Sequence, residues 1–459
     1  LWETARWDER EYDPATRLEG PAQLPDMEKL WWFGIPVPHS RNRIMPEHTF
    51  SHRYLLRTHI DVPADFAGRG FILEFETFQT IVSVFVNGQH CGWSRDFDAY
   101  WQCDVSNAVK PGRTNEIVVA VKSLHYAINP EREDANADPA RVMRQRVNIP
   151  WDMRNHQSIG KSYDLPVAQV HHGGAQTGLR EPVRLIAAGS VWTEDVFVRP
   201  SFRQKQLALD ITVKNPGRQA RQVVVENAVR RWSPDGLAAA PEKTFAAQRL
   251  NVPAGATASC TLAEGWATPA LWFPDDPNLY TLVTTLKDTD GTVIDTKHTR
   301  FGFREITWDG EGFHINGVPW QFWADIDNRG TLDQFIAKAR ESGQNYTRNW
   351  YGNGWHVTRR ELFSTFDEIG IMVRDSGPFD GEGANYAGGL VQGNRDDRTW
   401  YRDLFEHTAE QARAWVRGYR NHPCILFWTF ENEITYINAN NLGMSQYVEP
   451  GIRWIAEQI

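Results

Sequence analysis

The sequence predicts a protein of three folded domains: two antiparallel β-sandwiches followed by a parallel α/β domain. The length of 459 residues suffices for about three domains at roughly 150 residues each. The first two thirds of the chain contain short apolar–polar alternations separated by turn signals, which are typical of antiparallel sheets. After Arg304 short apolar strands alternate with helical patterns, which indicates a parallel sheet with crossover helices.

Residues 1–188 form the first predicted domain, a jelly-roll-like β-sandwich. Short segments that alternate apolar and polar residues follow one another here, at 54–62, 71–75 and 117–121. Turn-forming pairs separate them, Asn87-Gly88 and Pro111-Gly112. Because no helical pattern intervenes, we expect these strands to pair antiparallel in a sandwich or jelly roll.

Residues 189–304 form a second predicted domain with the same alternation of apolar and polar residues. Alternating strands are expected at 207–213, 222–226 and 279–283, with turns at Asp235-Gly236 and Asp290-Gly291. A stretch of about 110 residues made of short strands fits an immunoglobulin-like β-sandwich.

Residues 305–459 make up the third predicted domain, in which strands and helices alternate. Strands are expected at 320–324, 346–349, 371–373 and 425–430, and helices at 332–341, 357–368 and 400–419. This order predicts a parallel sheet with crossover helices. A Gly-rich segment at 375–397 is interpreted as a long loop after the third strand, at the edge where α/β barrels bind their ligands.

The composition excludes several classes of protein. The chain carries 49 basic and 58 acidic residues, a net charge of −9, without a dense cationic stripe, so nucleic acid is not an expected partner. No apolar stretch approaches the roughly 20 residues that cross a bilayer, so no membrane partner is expected either. The 20 Trp, 13 Tyr and 23 Phe favour carbohydrate, since these rings stack on sugar faces as well as filling cores.

The cysteines give no sign of a metal or redox motif. They are widely spaced, and no Cys-x-x-Cys pair occurs among Cys91, Cys103, Cys260 and Cys424. At most Cys91 and Cys103 are candidates for a disulfide. The spacing therefore gives no support for a zinc site or a redox motif. We expect no metal and no cofactor.

The sharpest chemical signal is a buried strand that ends in two carboxylates and an amide. The segment 421–433 reads NHPCILFWTFENE, with Glu431, Asn432 and Glu433 at its end. A carboxyl held against Trp and Phe is a candidate for the raised pKa that a general acid needs near neutral pH. The two catalytic carboxyls of a retaining glycosidase lie about 5 Å apart on opposite sides of the sugar, so one of these needs a partner from elsewhere. The alternative, two solvated carboxylates at a strand end, stays open.

Motifs along most of the chain resemble those of glycoside hydrolase family 2, which contains β-galactosidases, β-glucuronidases and β-mannosidases. They occur in the family's order, at 84–92, 97–100, 104–105, 178–183, 271–280, 301–304 and 313–319. The resemblance implies a jelly-roll sugar-binding-like domain, an immunoglobulin-like sandwich and a (β/α)8 TIM barrel. About 150 residues follow Phe313, whereas such a barrel takes about 250. We therefore expect only its N-terminal half here, completed by a missing C-terminal polypeptide or a second chain.

The resemblance also implies roles for individual residues. Glu433 falls on the family's general acid/base at the end of the fourth barrel strand, and Asn432 falls on the Asn that binds the sugar 2-hydroxyl. Arg348 matches an Arg that supports the catalytic carboxylates from below. The nucleophilic Glu of the family comes from the seventh strand, which we expect beyond Ile459.

Departures from the family pattern leave the identity of the sugar open. Glu431 replaces a frequent Gly, and Trp350 and Tyr351 stand where galactosidase-like members have His. Asp327 is a candidate for binding sugar hydroxyls or a cation, or for capping a helix. His172 is a candidate for substrate contact or for a plain loop role. The predicted substrate-binding residues are Asn432, Arg348, Trp350, Tyr351, Asp327, Glu431 and His172.

The sequence thus predicts a retaining, exo-acting β-glycosidase that removes terminal β-linked sugars from oligo- or polysaccharides by double displacement. The alternative is a non-catalytic carbohydrate-binding or scaffold protein, since only half of the catalytic pair is visible. A homo-oligomer is compatible with the sequence. A periplasmic or secreted location is favoured over the cytoplasm.

Overall fold

The fold is given by a computed structural model, which describes residues 1–7, 19–38, 53–97, 100–122, 178–179, 181–324, 330–349, 357–380, 399–432 and 445–459. Two antiparallel sandwiches precede a parallel sheet with its helices. No helix within these ranges is long and apolar enough to span a membrane.

The first sandwich contains strands β1 to β10. They are β1 Trp2–Arg6, β2 Phe33–Ile35, β3 Arg53–Val62, β4 Gly70–Phe75, β5 Phe78–Val86, β6 Gln89–Phe97, β7 Trp101–Asp104, β8 Arg113–Lys122, β9 Gly178–Leu179 and β10 Val183–Ala188, with 3₁₀ turns at Met27–Lys29 and Ala64–Phe66. One sheet has the order β2-β1-β3-β8-β5-β6 with β9 beside β5, and the other has the order β10-β4-β7. Alternate residues of β3 face opposite sides, as predicted: Tyr54 and Leu56 enter the core between the sheets, whereas Leu55 packs near Trp32.

The turn between β5 and β6 confirms the interpretation of Asn87-Gly88. Both residues have positive φ, 52° and 78°, which is the conformation of a type I′ hairpin turn. Asn87 also donates from its side-chain amide to the carbonyl oxygen of Ala108 at 2.8 Å. This hairpin therefore follows from two adjacent residues in the sequence.

The second sandwich contains strands β11 to β21. They are β11 Trp192–Ser201, β12 Gln206–Lys214, β13 Arg221–Ser233, β14 Gly236–Leu237, β15 Lys243–Thr244, β16 Gln248–Val252, β17 Thr257–Gly265, β18 Trp272–Phe273, β19 Asp276–Pro277, β20 Tyr280–Lys287 and β21 Val293–Phe301. The sheet β11-β12-β17 faces the sheet β14-β13-β20-β21 across one apolar core. Alternate residues of β12, Leu207, Leu209 and Ile211, are fully buried in that core, as the period-2 pattern predicts.

Within its described residues, the third part of the chain combines a small antiparallel sheet, a parallel sheet and four helices. The antiparallel strands are β22 Ile306–Trp308, β23 Phe313–Ile315 and β24 Val318–Trp320, and the parallel strands are β25 Tyr346–Asn349, β26 Met372–Asp380 and β27 Ile425–Asn432. The helices are α1 Leu332–Ser342, α2 Arg359–Ile369, α3 Thr399–Tyr419 and α4 Ser445–Gln458. The predicted crossover helices are thus present between the parallel strands.

The first predicted parallel strand differs from the structure. Residues 318–320 belong to an antiparallel hairpin, and the parallel pairing expected over 320–324 is a single bridge between Ala324 and Tyr346. The reason lies in Asn345, whose side chain accepts from the Trp323 N–H at 2.9 Å and donates to the Gln321 carbonyl oxygen at 3.0 Å. One amide side chain thus takes backbone bonds that a longer strand ladder would have made.

Strand β26, which corresponds to the strand predicted at 371–373, is longer than predicted. The prediction that a loop begins at residue 375 was therefore wrong. Strand β26 continues to Asp380, pairing Ser376 with Thr429 and Phe379 with Glu431. A register shift between Ser376 and Phe379 accommodates Pro378, which has no N–H for a ladder. The rest of the Gly-rich segment, 381–397, lies outside the described residues.

The second sandwich docks onto helix α2 and the start of β27. Trp272 Nε1 donates to the Asp367 carbonyl oxygen at 2.8 Å. The buried Asp367 carboxylate lies 2.6 Å from His422 Nδ1 and accepts from the Cys424 N–H at 3.0 Å. Arg300 from β21 lies 3.4 Å from the same carboxylate. The N-terminal end of β27 is therefore held against the second sandwich.

All four cysteines are free thiols, so the Cys91–Cys103 disulfide considered from the sequence is not formed. Burial, together with the nearby Cys91 and Asp104, raises the pKa of Cys103 to about 12. This thiol is therefore protonated at neutral pH.

Candidate active site

The candidate site is the carboxyl-terminal edge of the described parallel strands β25, β26 and β27, where β26 and β27 extend beyond β25. Their register pairs Asn349 of β25 with Asp375 of β26, and Asp380 of β26 with Asn432 of β27. Because the carboxyl ends of parallel strands meet at one edge, Glu431 and Asn432 reach the same edge as the end of β26. Glu433 follows directly in the chain and lies outside the described residues.

Two arginines on neighbouring strands lie below this edge on one face of the sheet. Arg348 is in register with Arg374. Arg348 Nε donates to Ser376 Oγ at 3.1 Å, and Arg374 Nε donates to Thr429 Oγ1 at 3.0 Å. Each acceptor stands on the next strand and two residues nearer the edge, so these bonds link β25 to β26 and β26 to β27. They bring positive charge to one face of the sheet.

The other face of the sheet carries a buried carboxylate. Asp375 is fully buried and accepts from Asn349 Nδ2 at 2.6 Å and from Trp415 Nε1 at 2.7 Å. Arg359 Nε lies 3.7 Å from its second oxygen. Burial raises the pKa of Asp375, and the Arg359 charge and the two hydrogen bonds offset that rise only in part. One carboxylate thus contacts β25, helix α2 and helix α3.

Trp415 extends this contact to the third strand. Its ring packs edge-on against Trp428 of β27, with centroids 4.8 Å apart and planes at 88°. Trp428 is the register partner of Asp375. The indole therefore bonds to β26 and packs on β27 at once, which fixes the helix layer relative to the strands that form the edge.

Sequence reasoning placed only part of this site. Arg348 lies on β25 as predicted, and the backbones of Glu431 and Asn432 end β27. The remaining predicted residues, Glu433, Trp350, Tyr351, Asp327 and His172, lie outside the described residues, and their roles stay predictions.

Sequence reasoning missed Arg374, Asp375 and Asn349. The available signal for two of them is the charged pair Arg374-Asp375, which directly follows the apolar run 371–373, because an ion in a buried strand needs a partner. Interpreting residues 375–397 as a loop leaves that signal unused. Within the described ranges, no three His, Cys, Asp or Glu side chains converge to hold a metal ion.

A separate cavity of about 260 Å³ lies at the opposite ends of these strands. Asp275, Trp320, Arg340 and Asn345 are among the residues that line it. Asn345 immediately precedes β25, so the cavity opens at the amino ends of the strands and is distinct from the candidate edge.

Three models of one family match successive parts of the chain. The "Glycosyl hydrolase 2 galactose-binding domain-like" model matches residues 38–161. The "Glycosyl hydrolases family 2" model matches residues 191–304. The "Glycosyl hydrolases family 2, TIM barrel domain" model matches residues 306–449, which include the parallel strands of the candidate site.

Individual relatives are distant in sequence and similar in fold. A β-glucuronidase of Formosa agariphila is 22% identical over 433 residues, covering 86% of this chain and 39% of that protein. The structure of Bacteroides uniformis β-glucuronidase 2, bound covalently to cyclophellitol-6-carboxylate aziridine, has a TM-score of 0.66 at 16% identity over 100% of this chain and 49% of that one. An Eisenbergiella tayi β-galacturonidase bound to galacturonate gives 0.64 at 16% identity, covering 99% of this chain and 68% of that one. The chain thus spans less than half the length of these two β-glucuronidases.

Proposed function

Because the chain belongs to glycosyl hydrolase family 2, we propose that it carries the acid/base half of a retaining, exo-acting β-glycosidase. In this proposal Glu433 protonates the leaving oxygen and later activates water. A Glu outside these 459 residues forms the glycosyl-enzyme intermediate. No cofactor takes part.

The observation that supports the proposal is the end of strand β27. This strand begins at buried Ile425, directly after buried Cys424, and its last residues at the edge are Glu431 and Asn432. Glu433 is next in the chain. A carboxyl delivered at the carboxyl end of a barrel strand is positioned where barrel enzymes bind substrate. Arg348 and Arg374, bonded across the same three strands, support that edge.

The relatives suggest which sugars to test first. By name, the structural relatives act on glucuronides and galacturonides, so we include a terminal β-linked uronic acid in the proposed substrate class. Aryl β-glucuronide, β-galacturonide, β-galactoside and β-mannoside form the substrate panel. A full-length protein that binds sugars from this panel without hydrolysing any of them would instead support the carbohydrate-binding alternative.

The test of the acid role is Glu433→Gln in the full-length protein, with Glu431→Gln as the matched control. If Glu433 is the acid, the variant loses about 10²- to 10⁴-fold in kcat/KM on glycosides with poor leaving groups. Activated aryl glycosides need little protonation and lose far less. Glu431→Gln changes KM or the pH optimum and keeps turnover. Equal losses on both substrate types, or a turnover collapse in Glu431→Gln, would contradict this assignment.

A further inference from the structure

Two buried carboxylates of the first sandwich depend on an arginine from the third part of the chain. The Glu74 and Glu76 side chains are 3% and 0% exposed. Carboxylates removed from water this completely need cations and hydrogen bonds to stay charged. Tyr100 Oη and Gln102 Nε2 donate to Glu74 at 2.6 and 2.9 Å. These neutral donors leave both negative charges to be balanced.

Two guanidinium groups supply that balance. Arg184, on β10 of the same sandwich, contacts both carboxylates. Arg360, in the first turn of helix α2, lies 3.3 Å from Glu74 Oε1 and 3.0 Å from Glu76 Oε1. Together the two carboxylates and the two guanidinium groups carry no net charge. Helix α2 is therefore tied to the first sandwich by its second residue.

The side chain of the preceding residue, Arg359, points in a different direction from that of Arg360. Arg359 is 8% exposed, lies over the Tyr419 ring at 5.8 Å and places its Nε 3.7 Å from the Asp375 carboxylate. Consecutive helix residues point about 100° apart, so one turn reaches both the sandwich and the parallel sheet. Asp375 in turn holds Asn349 at the end of β25.

We propose that Arg359 and Arg360 form a two-sided latch through which the first sandwich positions the end of β25 and the adjacent Asp375 of β26, and so act as positioning residues for the candidate active site. The latch comprises Glu74, Glu76, Arg360, Arg359 and Asp375. Its role in catalysis rests on the proposed function, whereas its effect on the strands does not.

The chain offers a matched control for this latch. Arg184→Gln and Arg360→Gln each remove one of the two cations beside the same carboxylates, but only Arg360 stands on helix α2. Both variants are expected to lower the melting temperature. Only Arg360→Gln is expected to increase amide hydrogen exchange in peptides covering 346–349 and 372–380, by about 2- to 30-fold. Arg360→Lys keeps the positive charge but not the guanidinium geometry, so it is expected to restore part of the protection against hydrogen exchange. It replaces Arg360→Gln in the test if that variant does not fold.

Kinetics give a second, independent readout in the full-length protein. Arg360→Gln is expected to lower kcat about 2- to 30-fold, and this loss is expected to shrink in the Asp375→Asn background, because both changes open the same latch. The proposal would be overturned if the kcat losses of Arg360→Gln and Asp375→Asn were additive. It would also be overturned if hydrogen exchange increased equally in Arg184→Gln and Arg360→Gln, or did not change in Arg360→Gln. A wild-type protein that hydrolyses no glycoside would contradict the proposed function alone, since the exchange experiment still decides the latch.

Discussion

At the scale of single residues, Gly370 illustrates how closely the second sandwich approaches helix α2. It follows the helix with φ of 77°, and a Cβ placed on it would lie 1.8 Å from the Pro274 carbonyl oxygen. Both a left-handed backbone and a backbone atom in the way therefore exclude a side chain at this position. The contact leaves no room for adjustment without moving one of the two elements.

We predict that Gly370→Ala destabilises the protein by at least about 3 kcal/mol, because backbone strain and a steric clash add. Gly343→Ala is the matched control. Gly343 also ends a helix, with φ of 69°, but nothing lies within 4 Å of its added Cβ, so only the strain of about 1–2 kcal/mol applies. Differential scanning calorimetry of both variants measures the difference. Equal shifts in melting temperature would mean that the close approach to Pro274 is not maintained in solution.

At the scale of elements, helices α1 and α2 share one design. Each begins with a capping box, Thr331 with Gln334 and Thr358 with Glu361, in which the Thr side chain accepts from the third helical N–H and the longer side chain accepts from the Thr N–H. Each ends on a left-handed Gly. The helix bounds are therefore set by local residues that the sequence displays.

We predict unequal costs for removing the two caps. Thr331→Ala should destabilise by about 1 kcal/mol, the ordinary value for a cap. Thr358→Ala should cost more and should also raise hydrogen exchange at 372–380, because the first turn of α2 carries Arg359 and Arg360. Thr358→Ser, which keeps the hydroxyl, should behave like the wild type. If exchange at 372–380 is the same in Thr358→Ala and Thr331→Ala, the first turn of α2 does not transmit its order to β26.

At the scale of the whole molecule, acid should weaken the docking of the first sandwich. Burial by itself would raise the pKa of Glu74, but the Arg360 charge and the bonds from Tyr100, Gln102 and Arg184 outweigh it and hold that pKa below its ordinary value of 4.5. A carboxyl whose pKa is lowered by folding stabilises the folded state above its unfolded pKa. This contribution is lost as the pH falls through the lower folded value.

The measurement is the melting temperature of wild type and Glu74→Gln between about pH 6 and about pH 3.5. We expect the wild type to be the more stable near pH 6 and its advantage to shrink as the pH falls below 4.5. Asp375, whose pKa is raised by burial, acts in the opposite direction and is common to both proteins. If the difference in melting temperature between the two proteins stays constant or widens toward low pH, Glu74 is not the group that gives this acid dependence.

Much of the fold could be predicted because its signals are local. Alternation along β3 and β12 and the Asn87-Gly88 turn each occupy a window of a few residues, and each produces the expected element. After Arg304 the predicted helices form, whereas the first predicted strand does not. The C-terminal helix α4 was missed because Pro450 lies inside it, and Pro usually ends a helix. The three matches to one family confirm the membership that the ordered motifs indicated.

The sequence by itself determined that two antiparallel β regions precede a parallel α/β region, and it displayed the strand that leads to Glu433, since periodicity and turn residues act over short distances along the chain. Only the tertiary structure decided which charges meet. Arg360 and Glu74 are 286 positions apart, and no local pattern distinguishes Arg360, which contacts the first sandwich, from its neighbour Arg359, which contacts Asp375. Those pairings follow from how the domains pack, because a buried ion is satisfied by whichever partner the fold brings within a few ångströms.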